Sequence, residues 1–163
     1  MEKVLISACL LGKRVRYDGN MISVTERILQ KWITEGRVVS ICPEVDAGMS
    51  IPRAPAEISH GGGPHILDGA ASVIDNTGED VSPYFIKGAN MALSLCKKHN
   101  IKVAILTENS PSCGSSSIYD GSFSNNKIDG IGVTTALLEK NGIKVFNQYD
   151  LINANAALQM PAE

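Results

Sequence analysis

The sequence lacks the long apolar segments of membrane and exported proteins. No stretch of the 163 residues approaches the roughly 20 apolar residues of a membrane-spanning helix. The apolar run at residues 4–6 is far shorter than the core of a signal peptide, and no cleavage-site pattern follows it. We therefore expect a cytoplasmic protein with no membrane partner. Four cysteines in that compartment favour catalysis, metal binding or burial over disulfide bonds.

A dense run of basic residues is also absent. The 15 Lys and Arg residues are scattered along the chain and are balanced by 17 Asp and Glu, which gives a net charge of -2. Proteins that bind nucleic acid usually carry a basic patch or stripe, so we expect no nucleic-acid partner. A chain of 163 residues fits one domain around one core, and we predict a single domain over residues 1–163.

Short apolar runs alternate with helical patterns, as they do in a parallel sheet with crossover helices. We therefore predict a single-domain α/β fold, Rossmann-like, with a mainly parallel sheet. The predicted strands are residues 4–8, 38–41, 71–75, 102–107 and 143–146, and the predicted helices are residues 23–35, 80 or 82 to 99, 133–140 and 150–158. Residues 118–129 have the pattern of a hairpin. The Pro- and Gly-rich residues 43–69 are expected to form a long irregular loop.

Three cysteines follow predicted strands, at the point where each strand ends. Cys9 comes after the first strand, Cys42 directly after the second, and Cys113 in the loop after residues 102–107. Parallel strands have their carboxyl ends at one edge of the sheet, where open α/β folds bind ligands. The three thiols can therefore meet at one point. Cys96 falls on the apolar face of a predicted helix and is expected to be an inert core residue.

Three thiolates at one point suit an iron-sulfur cluster or zinc, and their spacing does not choose between the two. The sequence has neither the Cys-x-x-Cys pairs of zinc ribbons nor the close spacings of ferredoxins, which disfavours a structural zinc site and a simple electron carrier. A centre with three protein ligands keeps an open position for a substrate. The alternative is that these cysteines are ordinary buried residues.

Residues beside the cysteines supply candidate catalytic groups. Glu44, two residues after Cys42, is the predicted proton carrier; its alternative is a solvated loop glutamate. Ser110 and Ser112 precede Cys113 and can hydrogen-bond a cluster sulfide or a substrate carbonyl, or they can simply form a turn.

Four further residues are candidates for substrate binding. Arg16, Tyr17 and Asp18 belong to a basic arm after Cys9 that can face an anionic or polar ligand, and the alternative is a solvated turn. Arg53 lies in the proline-rich segment, where the alternative is an ion pair that only orders the loop.

These motifs, in this order and spacing, resemble the bacterial 2-thiouracil desulfurase family. They are CLLG at 9–12, RYDG at 16–19, CPEV at 42–45, PR at 52–53 and SPSCG at 110–114. IYDGSF at 118–123 and GIGV at 130–133 also look like that family. The resemblance therefore covers almost the whole chain.

The resemblance implies a 4Fe-4S cluster on three cysteine ligands, Cys9, Cys42 and Cys113. It implies that the fourth iron takes the sulfur of a thiolated pyrimidine such as 2-thiouracil. A glutamate and a serine would assist, and they map onto Glu44 and onto Ser110 or Ser112. The implied reaction is a non-redox desulfuration in which iron acts as a Lewis acid, water adds at carbon, and uracil and hydrogen sulfide form. Two alternatives are a non-catalytic metal-binding or sulfur-carrier protein and a metal-free enzyme that passes a persulfide among its cysteines.

Overall fold

The computed structural model describes residues 2–11, 24–50 and 54–159. This part of the chain contains both helices and strands. In order they are β1 (Val4–Ser7), α1 (Ala8–Leu11), α2 (Val24–Thr34), β2 (Val38–Ile41), α3 (Pro43–Asp46), β3 (Ala56–Ile58), α4 (Gly63–Leu67), β4 (Val73–Asp75), α5 (Ser82–His99), β5 (Val103–Ile105), β6 (Ser117–Tyr119), β7 (Lys127–Asp129), α6 (Val133–Lys140), β8 (Lys144–Phe146) and α7 (Leu151–Gln159).

Four strands form the central sheet, in the order β2-β1-β5-β8, and every neighbouring pair is parallel. This arrangement confirms the predicted α/β fold with a parallel sheet. Apart from the segment at 43–69, the predicted helices, strands and hairpin lie within two residues of the observed ones. No helix of the described ranges is long and apolar enough to cross a membrane.

The sheet is covered by helices on both faces. Val4 and Ile6 of β1 pack with Trp32 of α2 and with α7 on one face. Leu5 packs on the opposite face with Ala92 of α5 and with α6. This alternation follows from the two-residue period of side chains along a strand. Both faces are buried, so β1 is apolar along most of its length, as is usual in parallel sheets.

The prediction of an irregular loop over residues 43–69 is wrong for the described part of that segment. It contains α3, β3 and α4, and β3 pairs with β4 in an antiparallel ribbon. Pro43 and Pro64 lie in the first turns of the two short helices, where a proline needs no N–H partner. Ile58 and Ile66 from this segment enter a third apolar cluster with Phe85 of α5. Tertiary packing therefore orders a stretch whose Pro and Gly content suggested irregular structure.

The predicted hairpin at 118–129 is present as the antiparallel pair β6–β7. Its turn is tied to β3 because the Glu57 carboxylate accepts the backbone N–H of Gly121 at 2.9 Å. Gly121 has a φ of +94°, which favours glycine, and an added Cβ would lie 2.6 Å from the carbonyl oxygen of Ile58. The two antiparallel ribbons are therefore held close together.

Candidate active site

Two of the candidate thiols leave neighbouring strands side by side. Cys9 lies in α1, two residues after the end of β1, and Cys42 directly follows β2. The last residues of these strands, Ser7 and Ile41, are register partners. Cys9 is exposed and Cys42 is half-buried. Both thiols therefore lie at the carboxyl edge of the sheet.

Cys113 returns to the same edge from the loop after β5. Its Sγ accepts a hydrogen bond from Ser7 Oγ at 3.8 Å, and Ser7 Oγ accepts the backbone N–H of Thr107 at 3.1 Å. Thr107 Oγ1 also lies 2.7 Å from the Sγ of Cys9. Ser7 and Thr107 thus link two of the three thiols.

The Cys113 thiol is buried and resists ionisation in the metal-free protein. Burial raises its pKa to about 12, the hydrogen bonds from Ser112 and Ser7 act in the opposite direction, and the charges of Glu44 and Cys9 raise the pKa further. A buried thiolate needs a compensating cation, and a metal centre would supply one.

The first turn of α6 holds the loop that carries Cys113. The N–H groups of Val133 and Thr134 donate to the carbonyls of Pro111 and Ser112, both at 2.8 Å. Thr135 Oγ1 donates to the Cys113 carbonyl at 2.9 Å. The loop therefore satisfies N–H groups that a helix leaves unpaired at its amino end.

Glu44 lies in α3, which packs closely against α5 through Gly88. A Cβ added at Gly88 would lie 2.8 Å from the carbonyl carbon of Pro43 and closer still to its oxygen. Only glycine allows the two helices this approach. Cys42 directly precedes α3, so the same contact also helps to position the backbone at Cys42.

A cleft of about 680 Å³ opens beside Glu44 and Ser110, which are close in sequence to Cys42 and Cys113, and no cysteine is among its described lining residues. Its described lining is mostly polar and includes the carboxylates of Glu44, Glu57 and Glu108. The remaining lining residues are Ala54, Pro55, Ala56, Asn109, Ser110, Pro111, Tyr119 and Asn125. The β3–β4 ribbon, the β6–β7 hairpin and the Cys113 loop therefore all contribute to its wall.

The two candidate serines have different surroundings. Ser110 lines the cleft, and its Oγ accepts the N–H groups of Ser112 and Cys113 at 3.0 and 3.2 Å. Ser112 is fully buried, and its hydroxyl is paired with Thr134 Oγ1 at 2.8 Å. Of the two hydroxyls, only that of Ser110 faces a space that a substrate can enter.

Comparisons with known proteins agree with this arrangement. The profile of the family described as 2-thiouracil desulfurase matches residues 4–150. The chain belongs to the 2-thiouracil desulfurase family. It is 44% identical over 148 residues to the protein YbbK of Bacillus subtilis, an alignment that covers 91% of this chain and 97% of that one. It is also similar to the solved structure of the [4Fe-4S]-dependent thiouracil desulfidase TudS, with 42% identity, a TM-score of 0.81, and coverage of 97% of this chain and 98% of that one.

The donor set suits the iron-sulfur cluster that this desulfurase family implies. Cys9, Cys42 and Cys113 all follow strands at one sheet edge, and the hydroxyls of Ser7 and Thr107 lie within hydrogen-bonding distance of the sulfurs of Cys113 and Cys9 there. Across the described ranges, no three Cys, His, Asp or Glu side chains form a group that could hold a single metal ion. The fit therefore rests on the sulfur donors, which iron-sulfur clusters require.

Glu108 is a residue of this site that the sequence analysis did not assign a role. Oε1 accepts four backbone N–H groups at 2.9 to 3.2 Å, from Asn109, Ser115, Ser116 and Ser117. Oε2 accepts the side chains of Ser115, Ser116 and Asn147 at 3.4, 2.6 and 2.6 Å. Burial opposes ionisation of this carboxyl, but the hydrogen bonds, led by those of Ser116, outweigh it and lower the pKa to about 2.

The sequence signal for Glu108 is an acidic residue directly after the predicted strand at 102–107, followed by a serine-rich segment. The other sequence-based predictions concern Cys96 and the substrate-binding residues. Cys96 is buried in the α5 side of the core, as predicted, and burial raises the pKa of its thiol to about 11. The four predicted substrate-binding residues, Arg16, Tyr17, Asp18 and Arg53, lie outside the described residues.

Proposed function

We propose that this chain desulfurates a thiolated pyrimidine such as 2-thiouracil, using a 4Fe-4S cluster on Cys9, Cys42 and Cys113. The supporting observation is that Cys9 and Cys113 are linked through Ser7 and Thr107 at the sheet edge where Cys42 also emerges. A polar cleft lined by Glu44 and Ser110, which are close in sequence to Cys42 and Cys113, provides room for the ring. We also propose that the protein acts in the cytoplasm, where its thiols stay reduced.

When bound, the cluster would supply an open iron that can take the sulfur of a thiocarbonyl group. In the overall reaction water replaces sulfur at carbon: the C–S bond breaks, a C–O bond forms, and both protons of the water leave with the sulfide. No electron is gained or lost. The task left to the protein is to hold the ring and to move protons.

Glu44 is the proposed proton carrier. It lines the cleft and lies close enough to Cys113 to influence the pKa of that thiol. Its carboxylate can accept a proton from the attacking water and return it to the departing sulfur. Glu44 follows Cys42 by two residues in a short helix that packs closely against α5 at Gly88, which supports a defined position near the proposed ligands.

Ser110 is the proposed serine of the site. Its oxygen already accepts two backbone N–H groups, so its O–H hydrogen can be donated to a polar atom of the ring. The charged residues among the described lining of the cleft are all carboxylates, which favours an uncharged heterocycle over an anionic one. Arg16, Tyr17, Asp18 and Arg53 remain proposed substrate-binding residues.

The test is anaerobic purification followed by iron and sulfide analysis, with the release of uracil and hydrogen sulfide from 2-thiouracil as the assay. Serine substitutions at Cys9, Cys42 and Cys113 should each remove most of the cluster. Cys96→Ser is the matched control and should retain it, because Cys96 lies in the core of the α5 side. Retention of a full cluster by all three ligand variants would show that the ligand set is wrong.

Glu44→Gln separates chemistry from assembly. We expect the variant to hold a normal cluster and to lose turnover by a factor of about 10² to 10⁴, the usual size of a general acid–base contribution. Unchanged turnover with a full cluster would remove Glu44 from the mechanism and leave the cysteine assignment intact.

A further inference from the structure

The loop that carries Cys113 is fixed on both sides of the cysteine. On the amino-terminal side, Ser110 Oγ and the first turn of α6 hold residues 110–113. On the carboxyl-terminal side, the N–H groups of Ser115, Ser116 and Ser117 all converge on one carboxylate oxygen of Glu108. The α6 contacts act on carbonyl groups of the loop, whereas Glu108 acts on its N–H groups, so neither anchor can replace the other.

Glu108 is itself fastened to the sheet. It follows β5, and its own N–H donates to Gln148 Oε1 at 2.9 Å. Asn147 Nδ2 donates to its Oε2 at 2.6 Å. Asn147 and Gln148 directly follow β8, which pairs with β5. The carboxylate therefore joins the Cys113 loop to a rigid part of the fold.

We propose that Glu108 is a positioning residue that holds the Cys113 loop in the conformation required for cluster binding, an inference that rests on the proposed function. The carboxylate faces donors on all sides: four backbone N–H groups on one oxygen, two hydroxyls and one amide on the other. Only an ionised carboxylate accepts all of them, and hydrogen bonds to a charged group are the stronger kind. An amide of the same shape would turn an NH₂ group towards several donors.

Glu108→Gln is therefore the informative substitution, because it preserves shape and removes acceptor capacity. The first measurement is amide hydrogen exchange of the metal-free protein. The amides of Ser115, Ser116 and Ser117 should exchange about tenfold faster or more in the variant, while those of the central sheet keep their protection. This measurement does not depend on the cluster or on activity.

The second measurement is the rate at which the anaerobic holoenzyme loses its cluster to a chelator, followed by visible absorption. Loss should be about tenfold faster or more in Glu108→Gln, and Glu108→Asp, which keeps the charge, should restore part of the retention. A structural role elsewhere in the fold would not produce this rescue together with faster exchange confined to the loop.

Asp75→Asn provides a matched control. Asp75 also organises a turn, since its Oδ1 accepts the N–H and the hydroxyl of Thr77 and the N–H of Glu79 at 2.6 to 2.9 Å. That turn follows β4 and makes no contact with the Cys113 loop through these bonds. Asp75→Asn should loosen the turn at residues 75–79 and leave the rate of cluster loss unchanged.

The outcomes separate the two proposals. A wild-type protein that binds no cluster under anaerobic reconstitution would overturn the proposed function. An active wild-type protein with unchanged loop exchange and unchanged cluster loss in Glu108→Gln would overturn the role of Glu108 alone. Equal acceleration of cluster loss in Asp75→Asn would also overturn it, because the effect would then reflect general destabilisation.

Discussion

Replacing Gly88 by alanine should displace the short helix that carries Glu44. The new Cβ would lie 2.8 Å from the Pro43 carbonyl carbon, whereas ordinary contact begins at 3.4 Å. The Pro43 carbonyl is a backbone group, and its oxygen lies closer still to the new Cβ, so α3 must move away by about 1 Å. Overpacking of this kind costs about 1–3 kcal/mol, and alanine regains about 1 kcal/mol through its higher helix propensity. The free energy of unfolding should therefore fall by only about 0–2 kcal/mol.

The effect on the site should be larger than the effect on stability. A displacement of about 1 Å in a reacting group can lower turnover by a factor of about 10². We expect Gly88→Ala to lose no more than about 2 kcal/mol of unfolding free energy in denaturant titrations of the metal-free protein, yet to lose most of its turnover of 2-thiouracil and part of its iron. Ser94→Ala, at an exposed position of the same helix, is the control and should change neither. Full iron content and normal turnover in Gly88→Ala would refute the view that this contact sets the position of Glu44.

Two further predictions concern the thiols and the buried carboxylate. In the folded, metal-free protein, iodoacetamide should modify the exposed Cys9 first and Cys42 next, whereas Cys96 and Cys113 should react only after unfolding. Mass spectrometry of protein digests measures these rates. A Cys113 that reacted as fast as Cys9 would contradict the prediction. The folded-state pKa of Glu108 is lowered from 4.5 to about 2, so its stabilisation is present above pH 4.5 and is lost as the pH falls through 2. The full shift corresponds to about 3 kcal/mol, and solvent screening at the cleft reduces the expected contribution to about 2 kcal/mol. Denaturant titrations from pH 6 to pH 2 should show this loss in the wild type but not in Glu108→Gln. If the free energy of unfolding falls equally with pH in both proteins, the prediction is wrong.

The fold could be predicted from the sequence where the pattern extends over several residues. The helix at 82–99 shows repeated helical spacing, and the strand at 103–105 is an uninterrupted apolar run, so both were found nearly at their observed bounds. The location of the three cysteines at one sheet edge follows from topology alone, because parallel strands share a carboxyl edge. This reasoning needed no knowledge of side-chain contacts.

The elements that the sequence did not reveal are short and depend on distant partners. α4 has five residues, and its Gly63 packs so closely against Gly132 that no side chain fits between them. Such a contact leaves no periodic signal in the sequence. Glu108 was missed for a related reason, since a carboxylate after a strand is equally consistent with solvation, and only the folded loop brings seven donors around it. The burial of Ser112 likewise depends on Thr134 of α6, 22 residues away.

The site divides into two parts with different structural origins. The three cysteines follow β1, β2 and β5, which are strands of the central parallel sheet. Much of the facing wall of the cleft comes from the β3–β4 ribbon and the β6–β7 hairpin, which are separate from that sheet and are joined to each other by Glu57. Sequence changes in the ribbons can therefore reshape the cleft without moving the thiols. A fold built in this way can keep one metal centre and vary the molecule that is presented to it, because the binding surface and the proposed cluster ligands depend on different packing contacts.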